Sequence, residues 1–160
     1  MVLGFSLRVL GRVARGLIKP RVAVPLPPSS VMVTSHRCRL VDVDFFWHQN
    51  NAAYLRCAEL SRWELMPRLG LLQRAAAQGW MFLVAEQTAQ YLKPIPPFAR
   101  FEIRTTSRFE GPDGKWLVFD HEFVSPCGRE VYCKASVKAI VKAASGKTVK
   151  RDGLQDFFVP

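Results

Sequence analysis

The sequence predicts an α+β domain, an antiparallel sheet of five strands wrapped around one long helix. Three observations lead there. A β-branched stretch at 31–42 opens the body of the chain, a run of helix formers follows the asparagines at 50 and 51, and four more strand-like stretches, punctuated by Gly and Pro, complete it. With 160 residues and 49% hydrophobic content, the chain has the material for one globular domain with a sizeable core.

The first strand is "VMVTSHRCRLVD", where β-branched residues and partial alternation set the pattern. Asn50 or Asn51 then supplies a helix N-cap, and "AAYLRCAELSRWELM" continues as helix to Pro67. Tyr54, Ala58, Ser61 and Leu65 share a face with Leu55 beside them, the expected core side. A short helix from Pro67 to about Gln78 stops at Gly79. "WMFLVAEQTAQYLKP" is long and mostly apolar, which predicts a central strand buried on both faces. "ARFEIRTTSRF" alternates, with Phe101, Ile103, Thr105 and Ser107 on one side and Arg100, Glu102, Arg104 and Arg108 on the other. The turns "GPDG" and "PCGR" bracket "KWLVFDHEFVS", and "EVYCKASVKAIVKA" is the last strand, with Val131, Cys133, Ala135, Val137, Ala139 and Val141 on its buried face. A sheet covered by a helix leaves an edge strand open, so a homodimer is expected.

The net charge of +10 is not spread evenly. Residues 1–30 carry five bases and no acid, residues 134–160 carry six bases against two acids, and 31–133 hold 12 bases against 11 acids. None of the usual nucleic-acid-binding motifs accompanies the excess, so no nucleic-acid partner is expected. In residues 1–30 the bases Arg8, Arg12, Arg15 and Lys19 fall at helical spacing on one narrow face, while Leu3, Leu7, Leu10, Val13, Ala14 and Leu17 gather opposite. A cationic amphipathic helix without acids reads as a mitochondrial presequence, with a membrane-surface contact through residues 2–19 as the alternative. "KPRVAVPLPPSS" reads as an extended linker, residues 31–143 as the folded domain, and 144–160 as a basic, solvated tail. In that tail Lys147, Lys150 and Arg151 are the bases that an anionic carrier or phosphate would meet. Cys38, Cys57, Cys127 and Cys133 form no CxxC pair and no zinc-ligand spacing, so they read as free thiols with no metal site.

The densest concentration of chemistry is "DVDFFWHQNNAAY", residues 42–54, which sets two acids, a histidine and two asparagines among aromatics. Unpaired polar groups cost about 1–3 kcal/mol each when buried, so such a cluster needs either partners or a task. Asp44 can activate water or act as nucleophile, and His48 can polarise or shuttle the proton. The helix start at Asn50 and Asn51 offers free N–H groups and a positive dipole end to an oxyanion.

These residues carry a resemblance. "DVDFFWHQNNAAYLRCAELSRWE" resembles the strand-to-helix segment of hotdog-fold thioesterases, and its DxDxxxHxNNxxY spacing is similar to that of plant acyl-ACP thioesterases and of the thioesterase superfamily member 6 group. "YLRCAELSR" resembles the YLxxxExxR run of the 4-hydroxybenzoyl-CoA thioesterase group, and residues 91–131 look like the Tyr-x-x-Pro strand and following hairpin. The resemblance spans roughly residues 31–142 and implies a hotdog fold, a dimer, and hydrolysis of a fatty acyl-CoA or acyl-ACP thioester without metal or bound cofactor. It departs at two places. Phe46 stands where the plant enzymes have Asn, and Pro94 where they have a catalytic Glu, so a catalytically silent hotdog subunit, binding acyl chains or acting as a scaffold, is the second reading.

Further candidates have plainer readings beside the functional one. Either Asp42 or Asp44 faces the substrate. Glu59 is expected in an intrahelical ion pair with Arg56 or Arg62, with a supporting carboxylate role in reserve. Glu86, in the apolar strand, would have a raised pKa if buried. Tyr54, Phe45, Phe46, Trp47 and Trp80 are expected in the core or along an acyl channel, and His121 and Asp120 are read as structural.

Overall fold

The computed structural model describes residues 2–19 and 30–154, so most of the Pro-rich linker and the last six residues lie outside the described residues. The elements are α1 (Val2–Ile18), β1 (Met32–Arg37), α2 (Asn51–Arg68), α3 (Leu71–Gln78), β2 (Met81–Tyr91), β3 (Arg100–Glu110), β4 (Trp116–Val124), β5 (Val131–Lys142), β6 (Thr148–Val149) and α4 (Arg151–Leu154). The antiparallel sheet has the order β1-β3-β4-β5-β2, with β6 paired to the end of β5. It curls around α2. This is the α+β hotdog architecture that the sequence predicts.

Alternation places Phe101, Ile103 and Thr105 of β3 and Cys133, Ala135, Val137, Ala139 and Val141 of β5 on the inner face, as expected. Two apolar clusters fill that face. Leu65, Leu69, Leu71, Leu117, Phe119, Val141 and Leu154 form one, and Tyr54, Cys57, Ala58, Ile95, Phe101, Phe123 and Cys133 form the other.

A buried polar chain separates them. Arg62 Nη1 donates to His121 Nε2 at 3.2 Å, which leaves Nδ1–H to donate to Thr105 Oγ1 at 3.0 Å. Ser61 stands 3.5 Å from Thr105 and 2.6 Å from Thr34, whose hydroxyl meets His36 Nε2 at 3.0 Å. Arg12 Nη2 closes the chain by donating to His36 Nδ1 at 3.1 Å. All of these polar groups except the half-buried Arg12 are buried, so the chain supplies partners that water would otherwise provide.

Four expectations are corrected. The apolar stretch after α3 is an edge strand, not a central one. Met81, Leu83, Val84 and Tyr91 are all exposed, and among the described residues β2 pairs only with β5 and its other edge has no neighbour. Phe45, Phe46 and Trp47 are also exposed, on the loop before α2, so they do not belong to the core. The residues after 143 are not a solvated tail as far as Leu154, since β6 pairs with β5, Lys150 Nζ lies 2.7 Å from Asp113 Oδ2, and Leu154 is buried in the first cluster. Finally, α2 runs through Pro67 to Arg68 and stops at Gly70, whose φ of 74° is the left-handed conformation glycine adopts freely.

The largest departure is α1. It packs against α2, so α2 lies between the sheet and a second helix, which explains why Leu60 and Glu64 are buried as well as the sheet-facing stripe. The cationic face of α1 points inward. Arg8 Nη1 is 3.0 Å from Asp42 Oδ1, Arg12 Nη1 2.5 Å from Glu64 Oε2, and Lys19 Nζ 2.6 Å from Glu64 Oε1. Burial pushes the Glu64 carboxyl up, but hydrogen bonds from Lys19 and Arg12 outweigh it and hold it below the ordinary range. Gly16 makes the approach possible, because a Cβ there would lie 2.3 Å from the Glu64 carbonyl oxygen and 2.6 Å from Pro67 Cγ. Leu7, Leu10, Leu17 and Ile18 consequently face outward. Among the described residues no helix is long and apolar enough to cross a membrane.

Candidate active site

Residues 42–51 fold into a tight loop pinned at both ends. Asn50 N–H donates to the Asp42 carbonyl at 2.7 Å and Gln49 N–H to the Ile95 carbonyl at 2.8 Å, which ties the start of α2 to the segment after β2. Within the loop Asp44 N–H donates to the His48 carbonyl, Trp47 N–H donates to the Asp44 carbonyl, and Trp47 adopts φ of 60°. Asp44 Oδ1 accepts from Phe46 N–H at 2.9 Å, and its Oδ2 stands 3.5 Å from His48 Nδ1. The Gln49 carbonyl lies 3.3 Å from the same nitrogen. Both neighbours of Nδ1 are acceptors, so in the neutral ring Nδ1 carries the proton and Nε2 keeps its lone pair.

At the helix start Asn50 is the N-cap. Its Oδ1 accepts from Ala52 N–H at 2.9 Å, and its carbonyl accepts from Ala53 N–H. Of the first three helix N–H groups, only that of Asn51 is left for a ligand. His48, Asn51 and Tyr54 line a cavity of about 260 Å³, closed by Tyr91, Leu92, Lys93 and Pro94 from the end of β2. Tyr54 is both core and cavity wall, as its hydroxyl accepts from Ile95 N–H at 3.3 Å and burial pushes its pKa up to about 12.

The fold thus brings His48, Asn51 and Tyr54 together, with Asp44 one step behind His48, while Asn50 caps the helix and does not line the cavity. Asp42 does not join them. It is fully buried and neutralised by Arg8 and by Arg56 at 3.6 Å, which answers which of the two acids stands near the cavity. Glu59 lies two turns along α2 and accepts from Trp63 Nε1 at 3.4 Å; Arg56 and Arg62 turn instead to Asp42 and His121. Glu86 is exposed near Lys138, not buried, and is remote from the cavity lining. Phe46 stacks on the His48 ring with centroids 6.2 Å apart but is otherwise exposed, as is Trp47. Trp80 packs against the Leu65–Phe119 cluster and lines no part of this cavity.

One residue escaped the sequence reading. Gln49 is 1% exposed, lines the cavity, and neither its Nε2 nor its Oε1 has a partner. A buried carboxamide without partners is costly. The signal was its place between His48 and the asparagines, where a side chain flanks the helix start. Among the described residues no group of three or more His, Cys, Asp or Glu could hold a metal ion.

Comparison with known proteins agrees with this fold. The chain is 34% identical to protein THEM6 of Danio rerio over 93 residues, covering 58% of this chain and 45% of that protein. It is 28% identical to a probable thioesterase of Saccharomyces cerevisiae over 116 residues, covering 71% of this chain and 49% of the other. The chain spans about half the length of the curated relatives it matches. Among solved structures, a probable thioesterase from Escherichia coli superposes with a TM-score of 0.67 at 24% identity, over 78% of this chain and 92% of that one. A 1,4-dihydroxy-2-naphthoyl-CoA thioesterase from Synechocystis gives 0.66 at 13% identity, over 76% and 89%. The thioesterase-like superfamily profile matches residues 38–152, from just past β1 into α4, and the chain belongs to that superfamily.

Proposed function

We propose that the protein is a thioester hydrolase acting on fatty acyl-CoA or acyl-ACP. The observation that carries this reading is the cavity at the start of α2, which His48 and Asn51 line together, with the Asn51 N–H unshared and acceptors beside His48 Nδ1. His48 draws a proton from water, the resulting hydroxide attacks the thioester carbon, and the oxyanion forms against the Asn51 N–H. Collapse breaks the C–S bond and the proton passes from His48 to the leaving thiolate, giving carboxylic acid and thiol. Asp44 holds the Nδ1–H tautomer and stabilises the imidazolium. The reading uses neither metal nor bound cofactor.

A homodimer joined along β2 is part of the proposal. The free edge and the exposed Met81, Leu83 and Val84 support it, and Tyr91 at the end of the same strand would bring a partner beside a cavity too small for a long acyl chain. The ion pairs of α1 support a helix that stays with the working protein instead of being removed on import into mitochondria. Fractionation of the full chain, with sizing of its N-terminus, tests that point.

The second reading, a silent hotdog subunit that holds acyl chains or serves as a scaffold, draws on the position of Asp44, whose carboxylate binds its own loop and does not line the cavity. Thiol release by purified full-length protein across acyl-CoA and acyl-ACP panels separates the two. Turnover that disappears in His48→Ala supports the hydrolase. No turnover by the wild type on any thioester leaves the silent subunit.

A further inference from the structure

A second and larger cavity, about 760 Å³, opens between α1 and the β1 edge. It shares no lining residue with the cavity at the start of α2. Six arginines line it, Arg8, Arg12 and Arg15 from α1, Arg37 and Arg39 from β1 and its extension, and Arg100 from β3, and no carboxylate is among the lining residues. The acids that pair with α1 are already matched, and Glu102, opposite Ser35 in the sheet, is not among the lining residues. Asp42 is held by Arg8 and Arg56, and Glu64 by Arg12 and Lys19. Arg15, Arg39 and Arg100 have no ion-pair partner among the described residues, and Arg37 only donates Nε–H to the Phe98 carbonyl at 2.9 Å and lies over the Phe98 ring. His36, also in the lining, adds no positive charge to the recess, since burial and then Arg12 favour its neutral form.

Four unmatched guanidinium groups therefore converge on one recess. Mutual repulsion makes this arrangement unfavourable when empty of counter-charge, and a polyanion relieves it. Guanidinium forks match phosphate oxygens in paired hydrogen bonds, and a single carboxylate would leave most of the charge unmet. We propose that the cavity between α1 and β1 is a binding site for a phosphate-bearing anion. Two sources share that chemistry, a soluble diphosphate and the headgroup of an anionic phospholipid. Exposed Leu7 at the cavity wall and Leu10 beyond it favour the lipid, because they would meet acyl chains next to the phosphate. The site is independent of the hydrolase reading.

The test uses the full chain and two probes. Pyrophosphate binding is measured by calorimetry, and flotation compares vesicles of phosphatidylcholine with the same vesicles containing phosphatidic acid. Arg15→Gln, Arg39→Gln and Arg100→Gln are compared with Arg129→Gln, which removes one exposed charge in the β4–β5 turn, outside the cavity lining. Each of the three cavity variants should keep the wild-type melting temperature and weaken binding by about tenfold, while Arg129→Gln binds as wild type. Pyrophosphate binding with this pattern assigns a soluble ligand, and vesicle binding alone assigns the phospholipid. Binding of neither probe, or an equal loss in Arg129→Gln, overturns the proposal.

Discussion

Lys19 Nζ lies 2.6 Å from Glu64 Oε1, an ion pair that joins the last turn of the N-terminal helix to a carboxylate with no exposed surface. Arg12 holds the other oxygen of the same carboxylate, and Arg8 holds buried Asp42. Removing residues 1–30 would strip partners from both acids. Breaking a buried pair on one side costs about 3–5 kcal/mol, because the remaining charge stays in low dielectric. The shortened chain should therefore melt well below the full one, and Glu64→Gln should recover part of the loss in the short chain while destabilising the long one. Equal melting temperatures for the two lengths would mean that α1 contributes nothing to the fold.

The contrast between what could and could not be read from the sequence follows from range. The helix start, its Asn50 cap and the neighbouring His48 lie within a few residues of one another, so local chemistry announces them. The pairing of α1 with Asp42 and Glu64 joins residues 34 to 52 positions apart, and an amphipathic pattern does not say whether its charged or its apolar face turns inward. Likewise residues 81–85 of β2 are apolar on both faces whether the strand sits at the centre of a sheet or at an edge awaiting a partner, so composition could not distinguish the two. Asp42 and Asp44 are two residues apart, and only the three-dimensional course of the loop shows that the first is claimed by arginines and the second stands beside His48.

Acid should weaken the protein before its carboxylates titrate. His121 is depressed to about 3, first by burial and then by Arg62, and His36 is held well below 6.5 by burial and then by Arg12, Arg8 and Arg15. Both folded values lie below the unfolded one, so between about pH 6 and 5 the unfolded chain takes up protons that the folded chain refuses. Stability then falls with falling pH by about 1.4 kcal/mol per unit for each histidine. Glu64, also depressed, adds loss only once pH drops through the ordinary glutamate range. Urea unfolding across this interval measures the slope, and a stability that stays flat down to pH 5 would rule out neutral histidines in the buried chain.

In the cavity at the start of α2, His48→Ala should lower kcat by about 10²–10⁴, the range for loss of a general base. Asp44→Asn should retain more activity than His48→Ala, because it leaves the imidazole in place and removes only the charge behind Nδ1. The order of these two effects is informative. If Asp44→Asn abolishes turnover while His48→Ala keeps it, the carboxylate and not the imidazole meets the water.

Gln49 sets a stability effect against a binding effect. Its carboxamide is buried with neither end partnered, so Gln49→Met, which keeps the length of the side chain and removes both polar atoms, should raise stability by about 1–3 kcal/mol. A thioester carrier has amide groups that can use a carboxamide as both donor and acceptor, and the same substitution should raise KM with little change in kcat. Melting curves and steady-state kinetics on one variant read the two effects separately. A more stable protein with unaltered KM would show that Gln49 faces the cavity without touching substrate, while a less stable one would mean that the carboxamide already has a partner in the folded protein.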